Sequence, residues 1–361
     1  MEPVRIALIG CGKRTKNIYV PIIKKMAPFI TCTGVYNRSE APVQEIGMML
    51  GVPFFTSIEE LIEKTRFDIA VICVNRAAHL VPSLTCIKAG KHLLIETPIA
   101  ESLDDARKII ALADKAGVTI EIAENVPRHP ELLFLRKCIQ HGLFGKINIV
   151  YSNFIGHGYH GVSSLRSMLG WDVVPRSVSA LRRDFPVVQH EWRDGQPERN
   201  VETWTHGIID FSNNAVGIYD FSSLTYGSPL RRDKKENMLT LYGEKGMIWN
   251  SNLLVLEGRK NRQMPEKSIK YVTIDGVETI DCIVLDSSPE IEWKNPLSAY
   301  ALDTSEIGIA LSLYELVTAL QENQSPEYGA INGYIDRKTE ILFEESAEQD
   351  GRKCLFNQDI R

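Results

Sequence analysis

Two glycines follow directly on the first apolar run of the chain, and this feature restricts the fold more than any other. Residues 4–9 are typical of a β-strand, and Gly10 and Gly12 come immediately after it, before a segment with helical spacing. Helical patterns then alternate with further short apolar runs, at 31–36, 69–74, 92–95 and 118–122. This alternation predicts an α/β fold with a doubly wound parallel sheet of the Rossmann type.

The pattern changes after residue 125. A helix is predicted at 132–139, and alternating, strand-like segments follow it, among them 147–151, 207–211 and 216–221. Alternation with short turns is typical of an antiparallel sheet that has one open face. A chain of 361 residues is long enough for two domains. We therefore predict a dinucleotide-binding domain over 1–125 and a substrate-binding α+β domain, with an open and mostly antiparallel sheet, over 126–361.

Composition excludes several classes of partner. The formal net charge is −5, so no basic field attracts nucleic acid or an anionic membrane. No apolar stretch reaches the length of a membrane span, and we expect no signal peptide. The seven cysteines include no C-x-x-C pair, which favours a reducing compartment and hence the cytoplasm. The expected partner is a small molecule.

The glycine turn predicts a nicotinamide dinucleotide site. Gly10 permits the tight turn, and Gly12 allows the backbone to approach a pyrophosphate at a helix N-terminus. The second strand ends at Asn37 and Arg38, where an acidic residue would normally hold the adenosine ribose. Arg38, with Lys13 and Arg14 in the turn, can attract a 2′-phosphate, although plain surface charge is an equal alternative. Both NAD and NADP therefore stay open.

Several short motifs, spaced along the chain, resemble those of a known family. After the glycine turn come Asn75-x-x-x-His79, then Glu96-Thr97-Pro98, then Glu124-Asn125, and finally the later sheet domain. Their spacing over nearly the whole chain resembles the glucose–fructose oxidoreductase / inositol dehydrogenase / MocA family (Gfo/Idh/MocA).

The resemblance implies NAD(P)-dependent hydride transfer at a hydroxyl-bearing carbon of a sugar, cyclitol or derivative. It also implies a homo-oligomer, a dimer or tetramer, formed through the open sheet face. The positions that match the family's cofactor contacts are Gly10, Gly12, Asn37, Arg38, Asn75, His79, Glu96 and Asn125.

The chain departs from the family at two polar positions. Thr97 stands where the family has its catalytic lysine, and Ser163 stands where an aspartate follows the Gly-x-His pattern, here Gly158-Tyr159-His160. Threonine does not titrate in the working range, so Thr97 can only hydrogen-bond or relay a proton. We predict His160 as the acid/base, with Tyr159 as donor or relay, because imidazole changes charge near neutral pH.

Other side chains are candidates for the substrate site. The segment 157–161 is predicted to be a loop that presents His157 to a cleft. Arg166 can bind an anionic group. Trp204 and His206 can line a sugar site from the sheet. For the histidines other than His160, a structural role is the more common alternative.

A metal site is an alternative interpretation of two histidines, and two alternative functions stay open. His157 and His160 could ligate a metal with His190, Glu191 or His206, but no HExxH pattern occurs and we predict no metal. A redox-neutral glycosidase or lyase could oxidise its sugar transiently on bound NAD⁺. A nucleotide-sensing regulator of the same fold would need no catalytic residue at all.

Overall fold

The computed structural model describes residues 3–153, 156–231, 239–357 and 359, and for Asp194 only the backbone. The chain forms two compact units. Unit 1 comprises Met1–Pro130, Tyr271–Asp281 and Asn295–Tyr334, and unit 2 comprises Glu131–Lys270, Cys282–Lys294 and Ile335–Arg361. The predicted boundary at residue 125 lies close to the end of the first of these segments. No sequence pattern predicted that Tyr271–Asp281 and Asn295–Tyr334 belong to unit 1.

Unit 1 contains a six-stranded parallel sheet in the order β3-β2-β1-β4-β5-β6. The strands are β1 (Val4–Ile9), β2 (Ile30–Tyr36), β3 (Phe54–Phe55), β4 (Ile69–Ile72), β5 (His92–Ile95) and β6 (Ile120–Ile122). The helices are α1 (Val20–Lys25), α2 (Glu40–Leu50), α3 (Ile58–Lys64), α4 (Leu80–Lys88) and α5 (Leu103–Ala116). All four residues of β4 are buried, as a central parallel strand requires. The predicted Rossmann fold is confirmed.

The helix that begins after Ser102 shows how local sequence sets these bounds. The Ser102 side chain accepts a hydrogen bond from the Asp105 N–H at 3.1 Å, which caps the first turn of α5. Gly117 ends the helix in the left-handed conformation, with φ of 65°. Both ends of the helix therefore follow from the types of residue that stand there in the sequence.

The rest of the chain supplies a nine-stranded sheet, a three-stranded sheet and five helices among the described residues. The strands are β7 (Ile147–Asn153), β8 (Pro175–Trp192), β9 (Gln196–Phe211), β10 (Val216–Ser222), β11 (Leu239–Gly243), β12 (Gly246–Trp249), β13 (Asn252–Glu257), β14 (Asn261–Gln263), β15 (Lys267–Ile274), β16 (Val277–Leu285), β17 (Ile291–Lys294) and β18 (Cys354–Leu355). The helices are α6 (Pro130–Gln140), α7 (Gly158–Leu169), α8 (Ser223–Gly227), α9 (Thr304–Gln321) and α10 (Gly329–Glu348).

The large sheet has the order β14-β13-β12-β11-β7-β10-β9-β8-β18, and the small one has the order β15-β16-β17. In the large sheet β7 and β10 pair in parallel and the other described neighbours pair antiparallel, so the sheet is mostly antiparallel, as predicted. Its two faces differ. A side chain at Gly207 would meet the Phe343 ring of α10 at 2.6 Å, whereas the next residue of β9, Ile208, is 44% exposed. One face is therefore covered by helices and the other is open.

No helix in the described part of the chain is both long enough and apolar enough to cross a membrane.

Candidate active site

The turn after β1 needs glycine at residue 10 for two separate reasons. Gly10 has φ of 108°, and a Cβ there would lie 2.4 Å from the carbonyl oxygen of Cys73. The turn is closed by Thr15, which is fully buried and whose hydroxyl donates to the Gly10 carbonyl oxygen at 2.7 Å. This bond gives a reason for threonine at the position where the usual fingerprint has a third small residue.

A cavity of about 410 Å³ lies against this turn at the carboxyl ends of β1, β2 and β4. A Cβ at Gly12 would meet no atom within 4 Å, and helical backbone begins directly after it, at residue 13. The space and the helix start fit a pyrophosphate. Five of the predicted cofactor residues line the cavity: Gly10, Gly12, Asn37, Arg38 and Asn75.

The same cavity has lining residues that the sequence patterns did not single out. They are Cys11, Tyr36, Ile58, Cys73, Val74, Ala78, Val81 and Pro82. The rule that ligands bind at the carboxyl ends of parallel strands would have indicated Tyr36 and Cys73, since each ends or directly follows a strand. No sequence pattern would have indicated that Val81 and Pro82, which lie on α4, also line the cavity.

Asn37 takes part in building the turn. Its Oδ1 accepts from the Cys11 N–H at 3.3 Å, and its Nδ2 donates to the Ser39 carbonyl oxygen at 3.2 Å. Arg38 follows it, exposed at the cavity, and has no ion-pair partner among residues 3–153, 156–231 and 239–357. Asn37 is neutral and Arg38 is a cation, so neither repels a 2′-phosphate as the usual acidic residue at this position would.

Glu96 is engaged by the protein itself. Its Oε1 accepts from Arg14 Nε and from the Tyr19 hydroxyl, both at 2.8 Å, and its Oε2 accepts from the Thr97 N–H at 3.2 Å. Burial raises the pKa of Tyr19 well above its ordinary value, so this hydroxyl stays a donor. The arrangement favours a role for Glu96 and Arg14 in fixing the turn after β5, over the predicted contacts of Glu96 with the cofactor and of Arg14 with a 2′-phosphate.

The remaining cofactor candidates also lie outside the cavity lining. His79 is 1% exposed, with Nδ1 at 3.1 Å from the Pro98 carbonyl oxygen and Nε2 at 3.1 Å from that of Val74. Burial lowers the pKa of His79, which favours the neutral ring. This favours a structural role for His79. Lys13 is exposed and Asn125 is half-buried, and neither lines the cavity.

In unit 2 the predicted loop at 157–161 is wrong, because α7 begins at Gly158 and His157 is its N-cap residue. The glycines there serve packing. A Cβ at Gly158 would lie 2.7 Å from Cγ of Glu340, and one at Gly161 would lie 2.3 Å from the Tyr219 ring. Close approach of a helix to its neighbours therefore explains the glycines that suggested a loop.

The start of α7 gathers several aromatic rings. The rings of Tyr159 and His160 are 4.3 Å apart, and those of His157 and His160 are 6.4 Å apart. The Tyr226 hydroxyl lies 2.8 Å from Nε2 of His157, and the guanidinium of Arg193 lies 3.9 Å from the Tyr226 ring centre. Nothing in the sequence pattern indicated Tyr226.

Arg166 is fully buried in unit 2. It donates to Asp336 at 2.8 Å, to the Trp171 carbonyl oxygen at 2.9 Å and to the Val173 carbonyl oxygen at 3.2 Å. A buried guanidinium that is satisfied in this way favours a structural role over the predicted contact with an anionic substrate. Ser163, at the position where the resemblance implies aspartate, is also buried and donates to the His160 carbonyl oxygen at 2.9 Å.

A second cavity, of about 190 Å³, lies on the helix-covered face of the large sheet. His157, Thr203 and Thr205 are among its lining residues. Because strand residues alternate between faces, Trp204 and His206 point to the opposite, open face. His206 Nδ1 lies there 2.6 Å from Asp220 Oδ1, and burial raises the pKa of Asp220 to about 6 and lowers that of His206. The structure does not bring Trp204 and His206 together with His157.

The relatives of the chain agree with this architecture. Residues 4–124 match the model of an oxidoreductase family with an NAD-binding Rossmann fold. The chain is also 32% identical over 263 residues to 1,5-anhydro-D-fructose reductase of Ensifer adhaerens, which covers 68% of this chain and 72% of that protein. The chain belongs to the Gfo/Idh/MocA oxidoreductase family. Its family, predicted from the spaced motifs, is thereby confirmed, and NAD is the cofactor that the family model assigns to residues 4–124.

Two further proteins are similar to this chain at lower identity. The uncharacterized oxidoreductase YhhX of Escherichia coli (strain K12) is 24% identical over 151 residues, which is 42% of this chain and 44% of YhhX. This chain therefore matches less than half the length of that relative. The crystal structure of the WlbA dehydrogenase from Bordetella pertussis in complex with NADH and UDP-GlcNAcA covers 99% of both chains, with a TM-score of 0.68 and 18% identity. That likeness shows a common fold.

Proposed function

We propose that the chain is an NAD(P)-dependent oxidoreductase that transfers hydride to or from a hydroxyl-bearing carbon of a sugar, cyclitol or related compound. The observation that carries the proposal is the cavity at the glycine turn, inside the segment that matches the NAD-binding family model. The bound nicotinamide supplies or accepts the hydride. The chain's own residues must bind the cofactor, orient the substrate and move the hydroxyl proton.

His160 is the proposed acid/base. Oxidation of an alcohol requires a group that takes the hydroxyl proton, and Thr97, in the place of the family's lysine, cannot do so. His160 is half-buried near the start of α7, with the Tyr159 ring 4.3 Å away. An imidazole that is partly exposed can exchange its proton with solvent through a neighbouring hydroxyl. Tyr159 is the proposed relay.

The test is reduction of NAD⁺ and NADP⁺ at 340 nm with a panel of sugars and cyclitols, in wild type and His160→Ala. We expect kcat to fall by about 10²- to 10⁴-fold in the variant. His141→Ala, which changes an exposed histidine of unit 2, is the matched control and should leave kcat unchanged. Cofactor binding without turnover of any sugar or cyclitol overturns the proposal. Cleavage of a glycoside without net NADH would instead identify the redox-neutral reaction.

We also propose that the site accepts NADP(H) as well as NAD(H). The support is the pair at the end of β2, where Asn37 is held by backbone groups and the exposed Arg38 lies at the cavity. A guanidinium binds phosphate oxygens with two N–H groups, which gives the 2′-phosphate a favourable partner.

The open face of the large sheet is the proposed contact between copies of the chain. Ile208 on β9 is 44% exposed, and it lies between the half-buried Ile218 of β10 and Ser179 of β8. Exposed apolar side chains on a sheet face mark an interaction surface. The support is therefore the neighbouring Ile208 and Ile218 side chains on this face together with the resemblance, which implies a dimer or tetramer.

A further inference from the structure

The cavity of about 190 Å³ in unit 2 lies beside the proposed acid/base. His157 and Gly158 are among its lining residues, and Tyr159 and His160 are not. The rings of His157 and His160 are 6.4 Å apart, so His157 lies between the cavity and the proposed acid/base. Sites that hold a whole ligand are commonly about 300–1,000 Å³. This cavity has room for one ring of a larger substrate.

Polar groups in the cavity have hydrogen-bonding capacity that the protein does not use. Arg182, Thr205 and Glu344 all line it. Within residues 3–153, 156–231 and 239–357, the Arg182 and Glu344 side chains have no ion-pair partner, and the Thr205 hydroxyl has no hydrogen bond. A guanidinium, a hydroxyl and a carboxylate together supply donors and acceptors for several hydroxyl groups.

The charges of the cavity balance. Glu340 is 9% exposed and is paired with Arg337, three residues before it on α10. Arg182 and Glu344 then contribute one charge of each sign. An anionic ligand that approached Arg182 would also bring its charge close to Glu344, so the site favours a neutral ligand.

Aromatic rings lie beside these polar groups. Tyr219 and Phe343 stack with ring centres 5.5 Å apart, and Phe221, the cross-strand partner of Thr205, also lines the cavity. Apolar ring atoms beside unsatisfied polar groups match a pyranose or cyclitol ring, which has C–H faces and a rim of hydroxyl groups. We infer that this cavity binds a second, neutral polyhydroxylated ring, so that the substrate is a glycoside and not a free monosaccharide. The inference rests on the proposed function.

The test measures sugar binding directly and needs no turnover. Ligand-observed NMR titrations would compare methyl glucoside and methyl galactoside with neutral disaccharides of glucose and galactose, and with glucuronate. We expect a neutral disaccharide to bind more tightly than either methyl glycoside or glucuronate. We expect Arg182→Met and Thr205→Val to weaken disaccharide binding about tenfold, as the loss of one hydrogen bond in a partly dry site predicts.

Arg183→Met is the matched control. It removes the same charge one residue further along β8, on the opposite face of the sheet, where Arg183 lies 3.6 Å from Asp350. This variant should bind the disaccharide as wild type does. Three results overturn the inference: no neutral disaccharide binds, glucuronate binds more tightly, or Arg182→Met and Thr205→Val bind like Arg183→Met. Failure of the proposed function is separate, since it appears as disaccharide binding with no reduction of either cofactor.

Discussion

The Tyr226 hydroxyl lies 2.8 Å from Nε2 of His157, although 69 residues separate the two in the chain. Tyr226 is 6% exposed and comes from α8, whereas His157 is exposed at the N-cap of α7. The bond therefore fixes the ring of an exposed histidine at the mouth of the second cavity. A buried tyrosine that holds a surface imidazole in place is a positioning residue.

The variant Tyr226→Phe should lower kcat/KM for the sugar substrate about tenfold, mainly through KM, because one hydrogen bond to His157 is lost. The free energy of unfolding should change by less than about 1.5 kcal/mol. Steady-state kinetics and urea unfolding test this. Tyr271→Phe, at a half-exposed tyrosine on β15, is the control. An unchanged KM in Tyr226→Phe would contradict the positioning role.

Substitutions of the two glycines in the turn should affect different properties, stability at Gly10 and cofactor binding at Gly12. Gly10→Ala places a Cβ 2.4 Å from the Cys73 carbonyl oxygen at a φ of 108°, and we expect a loss of more than about 3 kcal/mol of stability. Gly12→Ala meets no protein atom within 4 Å, so stability should hold within about 1 kcal/mol while NAD⁺ affinity falls about tenfold or more. Thermal unfolding and calorimetric titration measure the two effects. Full NAD⁺ affinity in Gly12→Ala would argue against the pyrophosphate cradle.

Arg38→Gln tests the cofactor proposal. Removal of the guanidinium should weaken NADP⁺ binding about tenfold or more, because a charge-assisted contact with the 2′-phosphate is lost. NAD⁺ has no such phosphate, and its affinity should stay within about twofold. Fluorescence titration with both cofactors gives the ratio. Equal losses of affinity for NAD⁺ and NADP⁺ would show that Arg38 does not bind the 2′-phosphate.

Glu121 should make stability depend on pH. Burial raises its pKa to about 7 against the opposing effect of Arg128, which lies 3.1 Å away. The folded state then holds this proton more tightly than the unfolded chain does, so the free energy of unfolding falls as pH rises from about 4.5 to about 7. The fall amounts to about 3 kcal/mol.

Glu121→Gln should remove this slope, since the amide does not titrate and its oxygen can still accept the shorter hydrogen bond, from the Ile122 N–H. Urea unfolding at about pH 5 and about pH 8 measures the difference. Glu63→Gln, at an exposed position of α3, should keep the wild-type slope. Identical slopes in wild type and Glu121→Gln would disprove the assignment.

Ile208→Asp tests the contact between copies. A carboxylate in the middle of the open sheet face would be buried without a partner on association, which costs several kcal/mol. Light scattering should therefore show a smaller assembly than for wild type. Met48→Asp, at a 66% exposed position of α2, is the control. A wild-type mass for Ile208→Asp would rule out this face.

The sequence by itself determined the Rossmann fold, because β1, its glycine turn and the capped helix after Ser102 depend on neighbours within a few residues. It also determined the family, through the spacing of the motifs along the chain, and it indicated five of the thirteen residues that line the cavity at the glycine turn. It did not determine which polar groups face the ligand. Glu96 is bonded to Tyr19, Arg166 to Asp336 and His157 to Tyr226, and each partner is distant in the chain.

Tertiary structure alone decided these roles. Burial and hydrogen bonding depend on which segments pack together, and a strand's register sets which of two neighbouring residues faces a cavity. Thr205 and His206 are adjacent in β9, yet one lines the cavity and the other points to the open face. The glycines of α7 likewise predicted a loop from the sequence alone. In the structure they lie in a helix, because Glu340 and Tyr219 pack too closely against them to leave room for a side chain. Local chemistry fixes the backbone path, and long-range packing fixes what each side chain can do.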